Sequence, residues 1–503
     1  MSTRNSPSTR RLMALSGAGL VALGLAAPAG AQTAAQPAAA PAPAAPAAAP
    51  ASPPRVNPPG LPSRSPTERW REDHSALADP AKRTGFFAPL KYIPLSEGEN
   101  PIYLTLGGEY RLRFDDFSEN AAFGLRGVDD DDYLQQRAMV YADLHFGSVA
   151  RVFVELSDTR TWGKEATLTA SDQSMTELQQ AFVDLTAGTS KTSTITLRAG
   201  RQEIPLGSGR LLGVRDAPNQ RRSYDGLRGM FESDGYTVSA FWTRPVLNGL
   251  ESFDDEPDDN LEFKGVYATL PIAKGKPFSL SADVYLMNYD RDGASFQGAT
   301  GEEDRNTIGV RLFGTLDDFD YNWEFVYQFG QFGDSDISAY AFGTDTGYTL
   351  SDVVLKPRLG VKFDIASGDD SRTDGELNTF NPLFPNNAYF TLASLTGYSN
   401  LVSVFPSLRI QPLDELTLSA GADFLWRQTG NDSVYMANMA VAPRTILNDD
   451  KDIGTAYVLE ANWRPVQYIT VVGQYVNFQT DDAIRLAGGD DVNFFQLRTT
   501  LRF

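Results

Sequence analysis

The chain has no cysteine and only two histidines, His74 and His145. The first absence excludes a disulfide scaffold and a thiolate metal centre. The second leaves little material for an imidazole metal site or a Ser-His-Asp triad, and no nucleophile-elbow sequence occurs. No metal, cofactor or enzymatic activity is therefore expected, and a barrel-rim hydrolase is the less favoured alternative. Basic residues are also in short supply: Lys and Arg total 44 against 64 Asp and Glu, a formal charge of -20. That balance argues against a nucleic-acid partner, which requires a basic surface. After the N-terminal region no run reaches 18 apolar residues, so a membrane-spanning chain must cross with strands.

The N-terminus has the form of an export signal. Arg4, Arg10 and Arg11 precede an apolar run from Leu12 to Ala27, and Ala29-Gly30-Ala31 supplies a small-residue cleavage site. The expected organisation is a signal peptide over 1–31, an Ala/Pro-rich linker over 32–60, a pre-barrel periplasmic segment over 61–100 and a β domain over 101–503. The linker composition cannot bury a core and favours extended conformers that reach toward a periplasmic partner.

From about Tyr103 onward the pattern is strict alternation. Leu104, Leu106, Tyr110, Leu112 and Phe114 share one face, and Thr105, Glu109, Arg111, Arg113 and Asp115 the other. Phe495, Leu497, Leu501 and Phe503 alternate with Gln496, Arg498 and Arg502 in the same way. Reading strands throughout yields eighteen, at 102–115, 133–147, 149–158, 177–187, 193–202, 224–232, 235–243, 260–270, 277–289, 305–315, 320–331, 337–344, 353–366, 401–411, 415–427, 452–463, 468–479 and 493–503. Tight turns alternate with long loops, which predicts an all-β, antiparallel transmembrane barrel in the bacterial outer membrane, with short periplasmic turns and long extracellular loops. Two joints break the rule: 332–336 is short and 345–352 is long. Trp242, Tyr321, Trp323, Tyr327, Phe329, Trp426, Trp463 and Tyr468 suit aromatic girdles, and lipid and lipopolysaccharide are the expected surroundings.

A barrel of this size encloses an aqueous path, so inward side chains become the functional surface. Taking the polar face as inward places Arg111, Arg113, Arg137, Arg151, Arg198, Arg228, Lys264, Arg311, Lys356, Arg358, Lys362, Arg409, Arg427, Arg464, Arg498 and Arg502 in the lumen. Glu109, Asp143, Glu155, Asp184, Glu262, Asp283, Glu324, Asp364, Asp423 and Glu460 join them. The cations outnumber the acids, which predicts an anion-favouring passage; the alternative is mutual pairing that stiffens the wall and leaves little field. Loop 203–223 adds Arg210, Arg215, Arg221 and Arg222, and folding inward would let it narrow the pore. The acidic runs at Asp129–Asp132 and Asp254–Asp259 read as solvated loops rather than metal sites.

Two stretches carry a family resemblance: RAGRQEIPLGSGRLLGVRDAPNQRRSYDGLRGMF from Arg198 to Phe231, and FDIASGDDSRTDGELNTFNPLFPNNAYF from Phe363 to Phe390. With SNLVSVFPSLRIQP and FLWRQTGNDSVYM after them, the region from about 100 to 503 resembles the alginate-export outer-membrane proteins. The resemblance implies an eighteen-stranded channel that passes an anionic polysaccharide through an arginine-lined constriction. It implies roles for Arg198, Arg201, Arg222, Asp225, Arg358 and Arg427. General small-solute uptake and a barrel plugged by loop 367–400 remain alternatives.

Overall fold

The computed structural model describes residues 68–503 except 99, 119–122, 128–129, 189 and 191. The expected signal peptide and linker lie outside the described residues. Eighteen long strands form one antiparallel sheet. In chain order they are β1 Ile102–Ser118, β2 Asp130–Phe146, β3 Ala150–Trp162, β4 Ser174–Gly188, β5 Ser193–Gln202, β6 Tyr224–Ser233, β7 Tyr236–Leu247, β8 Leu261–Ala273 and β9 Phe278–Phe296. The rest are β10 Ala299–Leu316, β11 Phe319–Phe332, β12 Ser335–Thr349, β13 Arg358–Ala366, β14 Leu401–Leu413, β15 Leu416–Trp426, β16 Asp452–Val466, β17 Ile469–Thr480 and β18 Val492–Arg502. Each strand pairs with its sequence neighbour, and β18 returns to β1 in the register Glu109↔Arg502 to Ser118↔Asn493. Gly108 and Phe503 exchange two backbone bonds of 2.9 and 3.0 Å at this seam. Closure leaves no open sheet edge, the condition for strands to exist in lipid.

Alternation decides which side chain meets lipid. Leu197, Leu227, Val266 and Leu286 are exposed on the outer face, while Arg198, Arg228 and Asp283 on the alternate positions are buried. Trp242, Trp323, Tyr327, Phe329 and Trp463 are exposed among the outward residues. Tyr468 instead meets Phe87 of the pre-barrel segment, with ring centroids 4.9 Å apart. The tight turns use the expected chemistry: Asp234 and Gly235 both have positive φ, the backbone a two-residue hairpin needs to match strand twist.

Three features differ from the sequence reading. Residues 290–304 are not a loop; β9 and β10 continue as a hairpin to Phe296 and Ala299, with a bulge between Arg291 and Ala294. Runs of charged and glycine residues, Asp290 to Gly293 and Gly301 to Asp304, interrupt the alternation that reveals a strand. Strand β13 starts at Arg358, so residues 353–357 belong to the turn. The segment 61–100 does not lie wholly outside the barrel: Arg69 and Trp70 pack against the inner wall of β1 to β5. Of the two irregular joints, the short one is a tight turn between Phe332 and Ser335, and the long one read at 345–352 lies instead between Thr349 and Arg358, because β12 continues through 345–349.

Replacing Leu227 with arginine puts a charge on the lipid face and is expected to destabilise the barrel by about 2–4 kcal/mol at mid-bilayer depth. Unfolding in liposomes measures this, with Thr196→Arg on the lumen face as the milder counterpart.

Candidate functional site

Two long loops enter the lumen and join there. Residues 203–223, after β5, carry the spaced glycines of PLGSGRLLG, and residues 367–400 follow β13. Between them runs a short ladder: Phe384 N–H donates to Leu211 O at 2.9 Å, Gly213 N–H to Phe384 O at 2.9 Å, and Asn386 N–H to Gly209 O at 2.8 Å. A Cβ on Gly213 would lie 3.0 Å from the backbone nitrogen of Asn386, so any other residue there would push the two loops a few tenths of an ångström apart. The Phe384 ring packs on Phe263 and Tyr224 at 4.9 and 5.3 Å, turning the inner face of β8 apolar. Arg210 fastens the far end, with Glu324 at 3.1 Å, Asp364 at 3.4 Å and the Tyr389 hydroxyl at 2.7 Å. The result is a crossbar from β5 toward β11 and β13.

A buried ionic chain holds the other side. Glu109 of β1 accepts from Arg137 at 2.7 Å, Arg502 at 2.8 Å and Arg69 at 3.0 Å. Arg137 reaches on to Asp216 of the first loop at 2.5 Å, and Arg221 of that loop binds Glu203 at 2.5 Å. Arg111 donates to the carbonyls of Asp216 and Pro218, and Arg113 to that of Ala217. These arginines satisfy loop backbone that enters a water-poor interior, where an unpaired carbonyl is costly.

Below the crossbar lies a cavity of about 440 Å³ against β6 to β10, lined by Arg71, Arg215, Arg228 and Arg311 together with Glu68, Asp216, Glu232 and Asp283. Arg311 is paired with Asp283. Arg228 donates to Ser239 at 2.7 Å, and its Nη1 is buried without a hydrogen-bond partner among the described residues. Arg215 Nε is buried in the same condition, and burial with Arg222 beside it pulls its pKa down to about 9. Neither guanidinium forms an ion pair among the described residues, although Glu68 and Asp184 act on Arg228 and Asp172 on Arg215 at longer range. Both guanidinium groups line the cavity, so their charge faces whatever enters it.

Of the expected lumen residues, Arg111, Arg113, Arg137, Arg151, Arg198, Arg311, Arg358, Lys362, Arg409 and Arg498 do face inward. Most are paired rather than free. Arg151 and Arg198 share Asp184, Arg358 holds Asp320 and Asp345, and Lys362 donates to Tyr389 O. Arg222 lies over the Phe384 ring at 4.9 Å. Seven residues are placed differently: Arg201, Asp225, Lys264, Glu262, Lys356, Arg464 and Arg427. Arg201 and Asp225 pair at 2.9 Å on the outward face, sharing it with Leu197 and Leu227, near the extracellular end where polar groups need not meet lipid. Lys264 also points outward, paired with Glu262, because Leu261, Phe263 and Tyr267 take the inner positions beside the crossbar. Lys356 is exposed in the 350–357 turn, and Arg464 is exposed at the periplasmic rim. Arg427 does not line the path: it donates to Asp432 O, Thr445 O and Asn448 Oδ1 and staples loop 427–451. Sequence reasoning missed Arg69, Trp70, Phe384 and Tyr389; the spaced glycines were the available signal for a close backbone approach.

The two later loops meet in an acidic knot. Asp369 N–H donates to Asp432 Oδ2 at 2.9 Å, as does Thr379 Oγ1 at 2.6 Å. Burial, and then Asp432, raise Asp369 to about 6. A raised carboxyl pKa means the protonated form is the better accommodated one, so this part of loop stability is present at acid pH and lost as pH rises through about 6. Hydrogen-exchange protection of 367–400 is expected to be higher at pH 5 than at pH 7.5, and Asp369→Asn should remove the difference. Gly213→Val should wedge the crossbar apart and raise single-channel conductance; an unchanged conductance would show that the ladder does not obstruct the path.

Residues 102–497 match the family model described as Alginate export. Solved structures share the fold at low identity. OccD3 (OpdP) of Pseudomonas aeruginosa aligns with TM-score 0.54 and 12% identity over 82% of this chain and 93% of its own. OccAB1 of Acinetobacter baumannii gives 0.53 and 11% over 80% and 96%, and a BenF-like porin from Pseudomonas fluorescens Pf-5 gives 0.52 and 13% over 80% and 99%. No curated protein matches the chain in sequence. With a closed eighteen-strand barrel and a family match across nearly all of it, the chain belongs to the alginate export family of outer-membrane β-barrel channels.

Proposed function

We propose that the channel passes acidic sugar polymers or their oligomers passively, with a preference for anions set in the cavity beneath the crossbar. The observation that carries this is the pair Arg215 and Arg228, two buried guanidinium groups with no carboxylate at ion-pair distance among the described residues. A cation in a low-dielectric wall that is not bonded to an acid lowers the energy of a carboxylate entering beside it and raises that of a cation. Guanidinium also matches carboxylate geometry by donating two parallel hydrogen bonds. The paired arginines of the wall contribute structure instead, because their field is cancelled locally.

A second reading, passage of small solutes, is favoured by one specific feature. The crossbar spans the lumen and leaves a cavity of about 440 Å³, a size suited to a sugar acid or a short oligomer rather than a threaded polymer. The BenF-like relative is named a porin, in keeping with this alternative.

Reversal potential in a planar bilayer under a salt gradient separates the cases. The wild type should favour anions and be blocked by oligouronate. Arg215→Glu with Arg228→Glu should abolish or reverse the preference and weaken the block about tenfold or more. A pore equally permeant to both ion signs in the wild type would remove the anion reading, and block by monomeric but not oligomeric uronate would favour the small-solute one.

A further inference from the structure

The segment from Glu68 to Lys91 precedes the family-matched region, yet its first residues lie inside the barrel. Its own secondary structure is three 3-10 turns of three or four residues and the four-residue helix Ala88–Lys91. So little internal hydrogen bonding cannot hold it in place; the anchors are side chains bound to the wall. Arg69 is 3% exposed and forks between Glu109 at 3.0 Å and Glu155 at 2.7 Å. Trp70 lies with Phe153 and Phe182 in one cluster, takes the Arg198 guanidinium over its ring at 4.0 Å and accepts from Arg151 through its carbonyl at 2.7 Å. Nearer the periplasmic end, Glu72 accepts from the Tyr141 hydroxyl at 2.9 Å and pairs with Lys91. Phe87 caps the mouth against Tyr468 and the terminal Phe503.

The wall is arranged to survive without these anchors. If Arg69 leaves, Glu109 keeps Arg137 and Arg502, and Glu155 keeps the amide of Gln180 at 2.8 Å. Glu109 thus keeps two cations, whereas the wholly buried Glu155 loses its one ion pair among the described residues and keeps a neutral donor, so undocking requires water from the opened lumen to replace Arg69 there. The chain joins the sheet only after the segment, at Ile93–Pro94 beside Tyr103 and Leu104 of β1, so the barrel ladder is complete without Glu68–Lys91.

We propose that Glu68–Lys91 is an intramolecular stopper, which occupies the periplasmic half of the lumen beside β1 to β5 when docked and opens the channel when its Arg69 and Trp70 anchors withdraw. The inference rests on the barrel conducting, and is independent of which ions it prefers. Docked, the segment also walls the anion cavity through Glu68 and Arg71, so its release widens the approach to Arg228. The two states differ by side-chain contacts alone, the kind of equilibrium that a pull or a binding partner upstream can bias.

The test uses the full mature chain with Arg69→Glu and, separately, Trp70→Ala, both within the segment and neither on a strand. Each protein is measured for unitary conductance in a planar bilayer and for tryptic cleavage after Arg71 in liposomes, with cleavage at exposed Lys82 as the internal reference. The wild type should be cut at Lys82 and protected at Arg71. Both variants should lose protection at Arg71 and conduct roughly threefold more. Cleavage at Arg71 without a rise in conductance would overturn the stopper, and so would continued protection in both variants. Failure of both variants to form a heat-resistant barrel would overturn it as well, by making the segment part of the barrel's own stability. Loss of anion preference with the conductance rise intact would sink the proposed selectivity and leave the stopper standing.

Discussion

Glu109 is the junction on which the lumen depends. Its carboxylate is wholly buried on the inner face of β1 and accepts from three arginines that belong to three different parts of the molecule: Arg137 of β2, Arg502 at the closing seam and Arg69 of the pre-barrel segment. A buried charge costs several kcal/mol in lost hydration unless its neighbours replace the water. Here the replacement ties wall, seam and inner segment to one point. Arg137 extends the chain to Asp216, and so the same pairing requirement draws loop 203–223 across the interior.

The interior is consequently far from a bare water-filled tube. Closing eighteen strands leaves a wide gap, and this chain fills it with two loops and an N-terminal segment whose polar groups are satisfied by the wall arginines. Cationic side chains thereby divide into two kinds. Those that hold loop carbonyls or carboxylates are structural, and their charge is spent locally. Arg215 and Arg228 form no ion pair among the described residues and line the cavity beneath the crossbar.

Strands were legible because lipid outside and polar lumen inside impose a period of two, and that period is visible wherever both conditions hold. It failed where one of them lapsed. At 290–304 the run of charged and glycine residues, Asp290 to Gly293 and Gly301 to Asp304, interrupts the alternation on both sides of Ala294 and Phe296, and the hairpin reads as a loop. At Lys264 the inner face is apolar because Phe384 arrives from another loop, and the polar residue is the outward one. Arg201 lies three residues from inward Arg198, so regular alternation alone puts it outside; its charge suggested the lumen, but a polar group near the strand end has no lipid to avoid.

The sequence by itself determined the barrel, its strand number, its closing strand and the faces of most strands, since each follows from local alternation against two solvents of opposite character. It also marked loop 203–223, through its four arginines, as a segment that would narrow the pore if it folded inward. Which loops enter, which arginines are spent on pairing and where Arg69 and Trp70 lodge were decided only by the tertiary structure. Those outcomes depend on contacts between residues far apart in the chain, 393 positions for Glu109 and Arg502, and no local pattern encodes which buried charge will find which partner.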